Sequence, residues 1–298
     1  MAEASGETPW RELLAEAIDR LAAAGFGSPE VDARRIVERA TSTSGAEYVL
    51  ELDRPATERA VGFFDLMLER RLIGEPLQYV IGRWGFRTLD LYVDRRVLIP
   101  RPETEEVVEQ ALVELDRAIS AIPKLAAGPV LDLGTGSGAI ALSLAAERDG
   151  LEVWAVERSP DAVAVARANL AGLGPAATRV RILEGSWFGP LPAELEGRFA
   201  LVVSNPPYVA PDDPLPPVVA EWEPRDALVP GPTGFEAIEA IVAGALRWLA
   251  PGASLVVELA PHQAERAVEL AHDHRYESAR ALPDLSGRLR MLVARGPS

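Results

Sequence analysis

From residue 128 onward, short apolar runs alternate with helix-length segments, and no other feature of the chain restricts its fold so strongly. "PVLDLG" reads as a strand and "AIALSLAAERDG" as a helix. "EVWAVE" is a strand, and "SPDAVAVARANLAGLG" is a helix capped by Ser159 with Pro160 following. "RVRILEG" and "FALVVSN" are strands, "FEAIEAIVAGALRWLAPG" a helix, "SLVVELA" a strand, "HQAERAVELAHDH" a helix and "RLRMLVAR" a last strand. This alternation specifies an α/β domain with a mostly parallel, doubly wound sheet. Such sheets bind ligands at the carboxyl ends of their strands. "APDDPLPPVVAEWEP" is proline-rich and reads as an ordered loop above that site.

Residues 1–75 follow a different period. "WRELLAEAIDRLAAAGFG" places Leu13, Leu14, Ala17, Ile18 and Leu21 on one helical face, with Gly25 as a stop. "SPEVDARRIVERAT" opens with Ser28 as N-cap, Pro29 at the first helical position and Glu30 in the first turn. "TERAVGFFDLMLERRLIG" is a third helix ending near Gly74. Together they predict a small helical domain over 1–75. Residues 76–100, "PLQYVIGRWGFRTLDLYVDRRVLIP", are rich in aromatic and β-branched side chains and predict a connecting β-hairpin. The larger domain then spans 101–298. Its first helix, in "RPETEEVVEQALVEL", begins at Pro102 or Thr104.

Bulk properties exclude several function classes. The chain has 298 residues and no cysteine, so disulfides, thiolate zinc sites and cysteine nucleophiles are absent. Only His262, His272 and His274 could serve as imidazole ligands. Positions i and i+2 of a helix face different ways, so no metal site is expected. No apolar run approaches the roughly 20 residues that span a bilayer. The start, "MAEASGETPWRELLAEA", does not read as a secretory leader, which predicts a cytoplasmic protein with no membrane partner. The net charge of −15 argues against a long nucleic-acid duplex as partner.

"VLDLGTGSGAIAL" follows a strand and opens a helix, with Gly134, Gly136 and Gly138 spaced G-x-G-x-G. Glycines there permit a tight turn and close approach of backbone to a ligand. The spacing is shorter than the dinucleotide fingerprint, which excludes a dehydrogenase reading. No Walker lysine follows, which argues against a P-loop nucleotidase. Glu157 ends the next strand, roughly 20 residues further on, where an acidic side chain can accept hydrogen bonds from ribose hydroxyls. The pair favours an adenosine-type cofactor.

"VVSNPPYVAP" supplies the chemistry. The prolines lack the N–H that a sheet ladder needs, so the strand stops and presents an amide, a rigid turn and an aromatic ring. The carbonyl of Asn205 and the backbone carbonyl of Pro206 can hold the two hydrogens of a planar –NH₂ group. Tyr208 can stack on that plane. An amide or exocyclic amine nitrogen is a poor nucleophile, because its lone pair is delocalised. Holding both N–H groups aims the lone pair at an electrophile and favours the charge that develops. Fixing the two reactants contributes about 7–11 kcal/mol to lowering the barrier. The electrophile implied is a methyl group on a sulfonium. The sequence offers no general base, so the proton leaves to water or through the Pro206 carbonyl.

"DLGTGSGAIAL" with "VVSNPPYV" resembles the S-adenosylmethionine-dependent amino-methyltransferases that act on planar nitrogens. "EPLQYVIGRWGF", "LIPRPETEEVVEQAL", "EPRDAL" and "LPDLSGRLRML" narrow the resemblance to the peptide chain release factor glutamine methyltransferases of the HemK or PrmC type, over nearly the whole chain. The resemblance implies a Rossmann-like methyltransferase domain behind a small all-helical domain. It implies S-adenosyl-L-methionine as cofactor and class 1 release factors as partners, with methylation of the glutamine N5 in their Gly-Gly-Gln loop. A monomer acting on protein, not nucleic acid, is expected. Gly134, Thr135, Gly136, Ser137 and Gly138 would cradle the cofactor, Glu157 would hold its ribose, Trp187 would sit by the adenine, and Asn205 would stand beside it. Asn205, Pro206, Pro207 and Tyr208 would hold the glutamine amide. Arg101 and Glu103 would line or brace the site entrance, or form an ion pair fixing the hairpin to the sheet.

Three positions depart from the family pattern. Glu157 replaces the usual aspartate, Thr233 stands where an Asp commonly precedes the Gly, and Ala260 replaces the glycine of E-x-G. Arg70, Arg71, Arg83, Arg87, Arg95, Arg96 and Arg101 gather near the junction and read as a docking surface or as ordinary surface charge. Two other functions use parts of the same pattern. A nucleic-acid amino-methyltransferase would call for a basic face, and a cofactor-binding adaptor would call for a damaged Asn205 or glycine loop.

Overall fold

Helices whose apolar residues recur every three or four positions each carry one stripe to bury, and they bury it against one another. The computed structural model of the protein describes residues 8–298, and the chain divides into two units between Arg83 and Trp84. Residues 1–7, on which the reading of the chain's start partly rests, lie outside the described residues. The first unit holds α1 (Trp10–Ala23), α2 (Pro29–Thr41), α3 (Gly45–Glu51), α4 (Glu58–Leu72) and α5 (Leu77–Ile81). Its core collects Leu13, Ala17 and Leu21 from α1, Ile36 and Val37 from α2, and Phe64, Met67 and Leu68 from α4. Trp10 and Phe64 meet edge to face, ring centroids 5.9 Å apart, an arrangement that adds to simple area burial.

Two of these helices differ from the sequence expectation. α3 has seven residues and α5 five, too few to show a repeating stripe. α5 occupies part of the stretch that its aromatic content assigned to a hairpin from 76. Pro76 precedes it, and Gly82, at φ +65°, stops it in the left-handed conformation that glycine tolerates. Two of the arginines near the junction have partners within this unit. Arg70 pairs with Glu75, and Arg71 pairs with Asp32 while lying 4.1 Å over the Phe26 ring.

The second unit opens with the hairpin proper, β1 (Trp84–Phe86) antiparallel to β2 (Leu89–Leu91). There follow α6 (Pro102–Ala121), β3 (Val130–Leu133), α7 (Ala139–Glu147), β4 (Val153–Glu157), α8 (Pro160–Ala171), β5 (Val180–Glu184) and β6 (Phe199–Ser204). The chain ends with α9 (Pro217–Trp222), α10 (Glu236–Trp248), β7 (Leu249–Glu258), α11 (Ala264–Asp273), β8 (Ser278–Pro283) and β9 (Leu289–Arg295). One seven-stranded sheet runs β5-β4-β3-β6-β7-β9-β8. It is parallel from β5 to β7, and β9 is antiparallel to both of its neighbours. This is the mostly parallel, doubly wound sheet that the alternation specified, and the Rossmann-like domain that the resemblance implied. β3 and β6 are buried along their whole length, as strands covered on both faces must be.

The sequence reading missed β8 and α9. β8 is an edge strand with no buried residue, so it lacks the apolar run that marks its neighbours. α9 lies inside the proline-rich segment read as a loop. Pro217 takes its first helical position, where a missing N–H costs nothing.

Replacing Phe64 with alanine should lower the opening free energy of amides in α1, α2 and α4 by about 3–5 kcal/mol. Native-state hydrogen exchange checks this. Unchanged protection would show that the aromatic pair does not hold the helical unit together.

Candidate active site

Three strands stop at one level. Leu133 pairs with Val156 on one side and with Ser204 on the other, so the next residues along the three chains are Gly134, Glu157 and Asn205. β4 and β5 lie to one side of β3, and β6 and β7 to the other. The crevice therefore opens at the point where the winding reverses, above the strands' carboxyl ends. A cavity of about 590 Å³ lies there, a usual size for a small-molecule site. Its wall includes Gly134, Thr135, Gly136, Ser137, Glu157, Ser186, Trp187, Asn205 and Pro207.

The glycine loop is held by its own backbone. Gly134 and Thr135 both donate to the Val156 carbonyl, at 2.8 and 3.1 Å, and Gly138 donates to Thr135 at 2.8 Å. Gly134, Gly136 and Gly138 have φ of +72°, +56° and +88°, a region that other residues enter at a cost of about 1–2 kcal/mol. A Cβ on Gly136 would meet nothing, because the cavity is on that side. A Cβ on Gly138 would strike Leu142 at 2.9 Å. Gly138 is outside the cavity wall, and its lack of a side chain serves helix packing. Asn169 of α8 adds a clamp, donating to the Ser137 and Tyr92 carbonyls at 2.8 and 3.0 Å.

Asp132 is the residue that sequence reading passed over. It sits two positions before Gly134, fully buried in β3. Its Oδ2 accepts from the Thr135 hydroxyl at 2.6 Å and from the Ala141 N–H at 3.1 Å. Gly138, at the N-cap of α7, has no side chain to cap the helix, so Asp132 satisfies a first-turn N–H in its place. Burial pushes its carboxyl up to about 7, against the pull of those two hydrogen bonds. The glutamate in place of aspartate at 157 reaches back over the loop. It accepts from Gly136 N–H at 3.0 Å and from Ser159 N–H at 2.9 Å. Each carboxylate oxygen keeps a further acceptor site. The Trp187 indole lies against the loop, 3.8 Å from where a Gly134 Cβ would be.

Asn205, directly after β6, donates from Nδ2 to the Thr104 hydroxyl at 3.0 Å. Thr104 donates in turn to Glu258 Oε2 at 2.7 Å, and the Tyr208 hydroxyl donates to Glu258 Oε1 at 3.1 Å. Glu258 is 1% exposed, and burial lifts its carboxyl to about 7 against those two donors and Arg290. Burial, with the Glu258 charge beside it, also raises the Tyr208 phenol. Gln263 fastens the turn from behind, donating to the Tyr208 and Gly234 carbonyls at 2.9 and 3.0 Å. A Cβ on Gly234 would sit 2.7 Å from the Ala210 nitrogen. Neither Thr104, Glu258 nor Gln263 was singled out from sequence. Thr104 lies inside "RPETE", and Glu258 and Gln263 lie inside "VVELAPHQ", and those motifs were the one hint of them.

Of the other expected positions, Arg95 and Arg96 line the cavity, whereas Arg87, Arg101, Glu103, Pro206 and Tyr208 fall outside its wall. Arg101 pairs with the buried Glu223, which also accepts the Ile99 N–H at 3.2 Å. Glu103 pairs with Arg288. The two therefore tie down separate loops and do not pair with each other. Pro206 is buried between two wall residues, and Tyr208 points its hydroxyl inward to Glu258. Arg87 pairs with Glu147 and Glu109, Arg96 with Asp94, and Arg95 stacks 5.1 Å over Trp222. These guanidinium groups have partners within the chain, which favours their reading as structural charge. Thr233 donates to Glu236 at the start of α10, and Ala260 accepts no special strain, at φ −76°.

Among the described residues no His, Asp and Glu side chains group to hold a metal ion, and no helix is long and apolar enough to cross a membrane.

Asp132 and Glu258 have folded values of about 7 against ordinary values of 3.8 and 4.5. Between those limits the folded state holds more protons than the unfolded, so their contribution to stability falls as pH rises. Urea unfolding should thus need less denaturant at about pH 7.5 than at about pH 5, and Asp132→Asn should reduce the difference. A midpoint that rises over this interval would contradict the assignment.

Known proteins match the chain over nearly its whole length. The PrmC N-terminal domain family matches residues 12–82, and the Methyltransferase small domain family matches residues 116–221. A release factor glutamine methyltransferase of Cereibacter sphaeroides is 38% identical over 292 residues, covering 96% of this chain and 98% of the relative. One from Xylella fastidiosa is 39% identical over 286 residues, covering 96% and 97%. Among solved structures, the hMettl16 catalytic domain in complex with MAT2A 3'UTR hairpin 1 aligns with a TM-score of 0.54 at 16% identity. That alignment covers 77% of this chain and 80% of the other, and it is a likeness of fold alone.

Proposed function

Because the chain belongs to the release factor glutamine methyltransferase family, we propose that it methylates the side-chain amide nitrogen (N5) of the glutamine in the Gly-Gly-Gln loop of class 1 peptide chain release factors. The methyl donor is S-adenosyl-L-methionine, and the reaction takes place in the cytoplasm. The observation that carries the reading is the position of Asn205. It stands on the cavity wall in register with the glycine loop, its amide nitrogen tied to Thr104.

The residues present suit that cofactor. Gly134, Thr135, Gly136 and Ser137 give a close backbone cradle with no side chain at Gly136 in the way. Gly138 completes the turn that carries the loop into α7. Glu157 has acceptor capacity left for two hydroxyls, and Trp187 provides an aromatic face for an adenine. When bound, the cofactor supplies a methyl group on a positively charged sulfur.

This chain's own residues do the rest. The Asn205 Oδ1 and the Pro206 carbonyl accept the two N–H groups of the substrate amide and turn its lone pair toward the methyl group. Positive charge grows on the amide nitrogen as the bond forms, and two fixed dipoles facing it favour that change. Pro207 stiffens the turn, and the Tyr208 ring gives the amide plane a surface. Glu103, through Arg288, and Arg101, through Glu223, brace the loops around the opening. No side chain needs to remove a proton in advance, because the amide nitrogen carries the positive charge once methylated, and that cation releases a proton to water to leave the neutral N-methyl amide.

A nucleic-acid amino-methyltransferase would use an asparagine in the same way. The relatives at 38% and 39% identity over nearly the whole chain favour the protein substrate. Asn205→Ala should lower turnover by about 100-fold or more, while S-adenosylmethionine affinity by calorimetry stays within about threefold. Near-normal turnover would remove Asn205 from this role.

A further inference from the structure

Asn205 can perform its part only if its amide faces one way round. Rotation by half a turn about the last side-chain bond would present NH₂ to a substrate NH₂, replacing attraction with repulsion. The two ends of an amide are nearly the same size, so shape alone does not choose between them. Something must bias the choice by hydrogen bonding.

We infer that Thr104 and Glu258 are positioning residues that hold the Asn205 carbonyl toward the substrate. In its ionised form, which prevails above about pH 7, Glu258 can only accept. It lies 2.7 Å from the Thr104 hydroxyl and is 1% exposed, so no water competes for that contact. A threonine hydroxyl has one proton, and here it is committed to Glu258. Thr104, itself 3% exposed, then faces Asn205 at 3.0 Å with lone pairs only. The Asn205 group that meets it must be the NH₂. Oδ1, at the other end of the same plane, is left for the cavity.

The remaining contacts of Glu258 support one arrangement. Its second oxygen takes the Tyr208 proton at 3.1 Å, so the same carboxylate orients both flanks of the Asn205–Tyr208 turn. Arg290, whose Nε is buried, lies close enough to favour the ionised form. Glu103 is the other charge felt at this carboxyl, and its pairing with Arg288 at 3.2 Å offsets it. The chain Tyr208–Glu258–Thr104–Asn205 therefore draws on α6, the end of β7 and the turn after β6, three elements far apart in sequence.

The inference rests on Asn205 holding the substrate amide, and its test separates the two. Thr104→Val keeps the shape and removes the acceptor. It should lower kcat by about 10–100-fold, with S-adenosylmethionine affinity unchanged and with KM for the release factor little changed. Thr104→Ser restores the hydroxyl and should recover most of the loss. A readout without substrate or cofactor is the Asn205 side-chain amide resonance in the free protein, identified by its absence in Asn205→Ala. In the wild type its protons should exchange slowly, and in Thr104→Val they should exchange at the rate of an exposed asparagine. Three results would overturn the inference: fast exchange in the wild type, kcat retained in Thr104→Val, or a Thr104→Ser variant as impaired as Thr104→Val. If the wild type transfers no methyl group to a release factor, the substrate reading fails, and the resonance still decides the orientation.

Discussion

Parallel pairing of β3 with β6 is the constraint on which the site depends. The ladder ends with Leu133 opposite Ser204, and the Ser204 hydroxyl donates to the Leu133 carbonyl at 2.7 Å. A one-residue slip would turn every side chain of β6 to the opposite face. It would also separate Asn205 from the glycine loop by a full residue step, more than the near-attack range of about 3–3.5 Å can absorb. Both strands are buried on both faces, so apolar packing sets their register firmly. The chemistry thus inherits its precision from two strands that are apolar apart from Asp132 and Ser204.

Two buried carboxylates work against that core and serve the loops above it. Asp132 lies within β3 and closes the start of α7. Glu258 ends β7, one residue past the Val257 that pairs with Ser204. Burying an ionised carboxylate is unfavourable unless donors surround it; Asp132 accepts from the Thr135 hydroxyl and the Ala141 N–H, and Glu258 from the Thr104 and Tyr208 hydroxyls. The cost is borne where geometry matters most, at the cofactor loop and at the turn that would hold the substrate amide. A hydrophobic replacement would pack as well and leave both loops without their anchor.

Much of this was legible in the residues. The alternation after 128 specified the doubly wound sheet, because buried parallel strands leave uninterrupted apolar runs. Gly134, Glu157 and Asn205 stood out because strand ends in such sheets carry function. What could not be read was tertiary. Thr104 and Glu258 are 154 residues apart, and nothing local marks them as partners. Gly138 looked like its neighbours in the loop, and only its contact with Leu142 shows that it serves packing. Arg101 and Glu103 shared a motif, yet each found its partner in a different distant loop. β8 was lost because an exposed edge strand has no period to detect, and α5 because one turn of helix is shorter than the window that reveals it.

The most direct test of the account is to incubate the protein with labelled S-adenosylmethionine and an unmethylated class 1 release factor, then locate the label by peptide mass spectrometry. The account predicts one added methyl group, on the glutamine of the Gly-Gly-Gln loop, and none when that glutamine is alanine. Label on duplex DNA or ribosomal RNA offered alongside, or on no substrate at all, would contradict it.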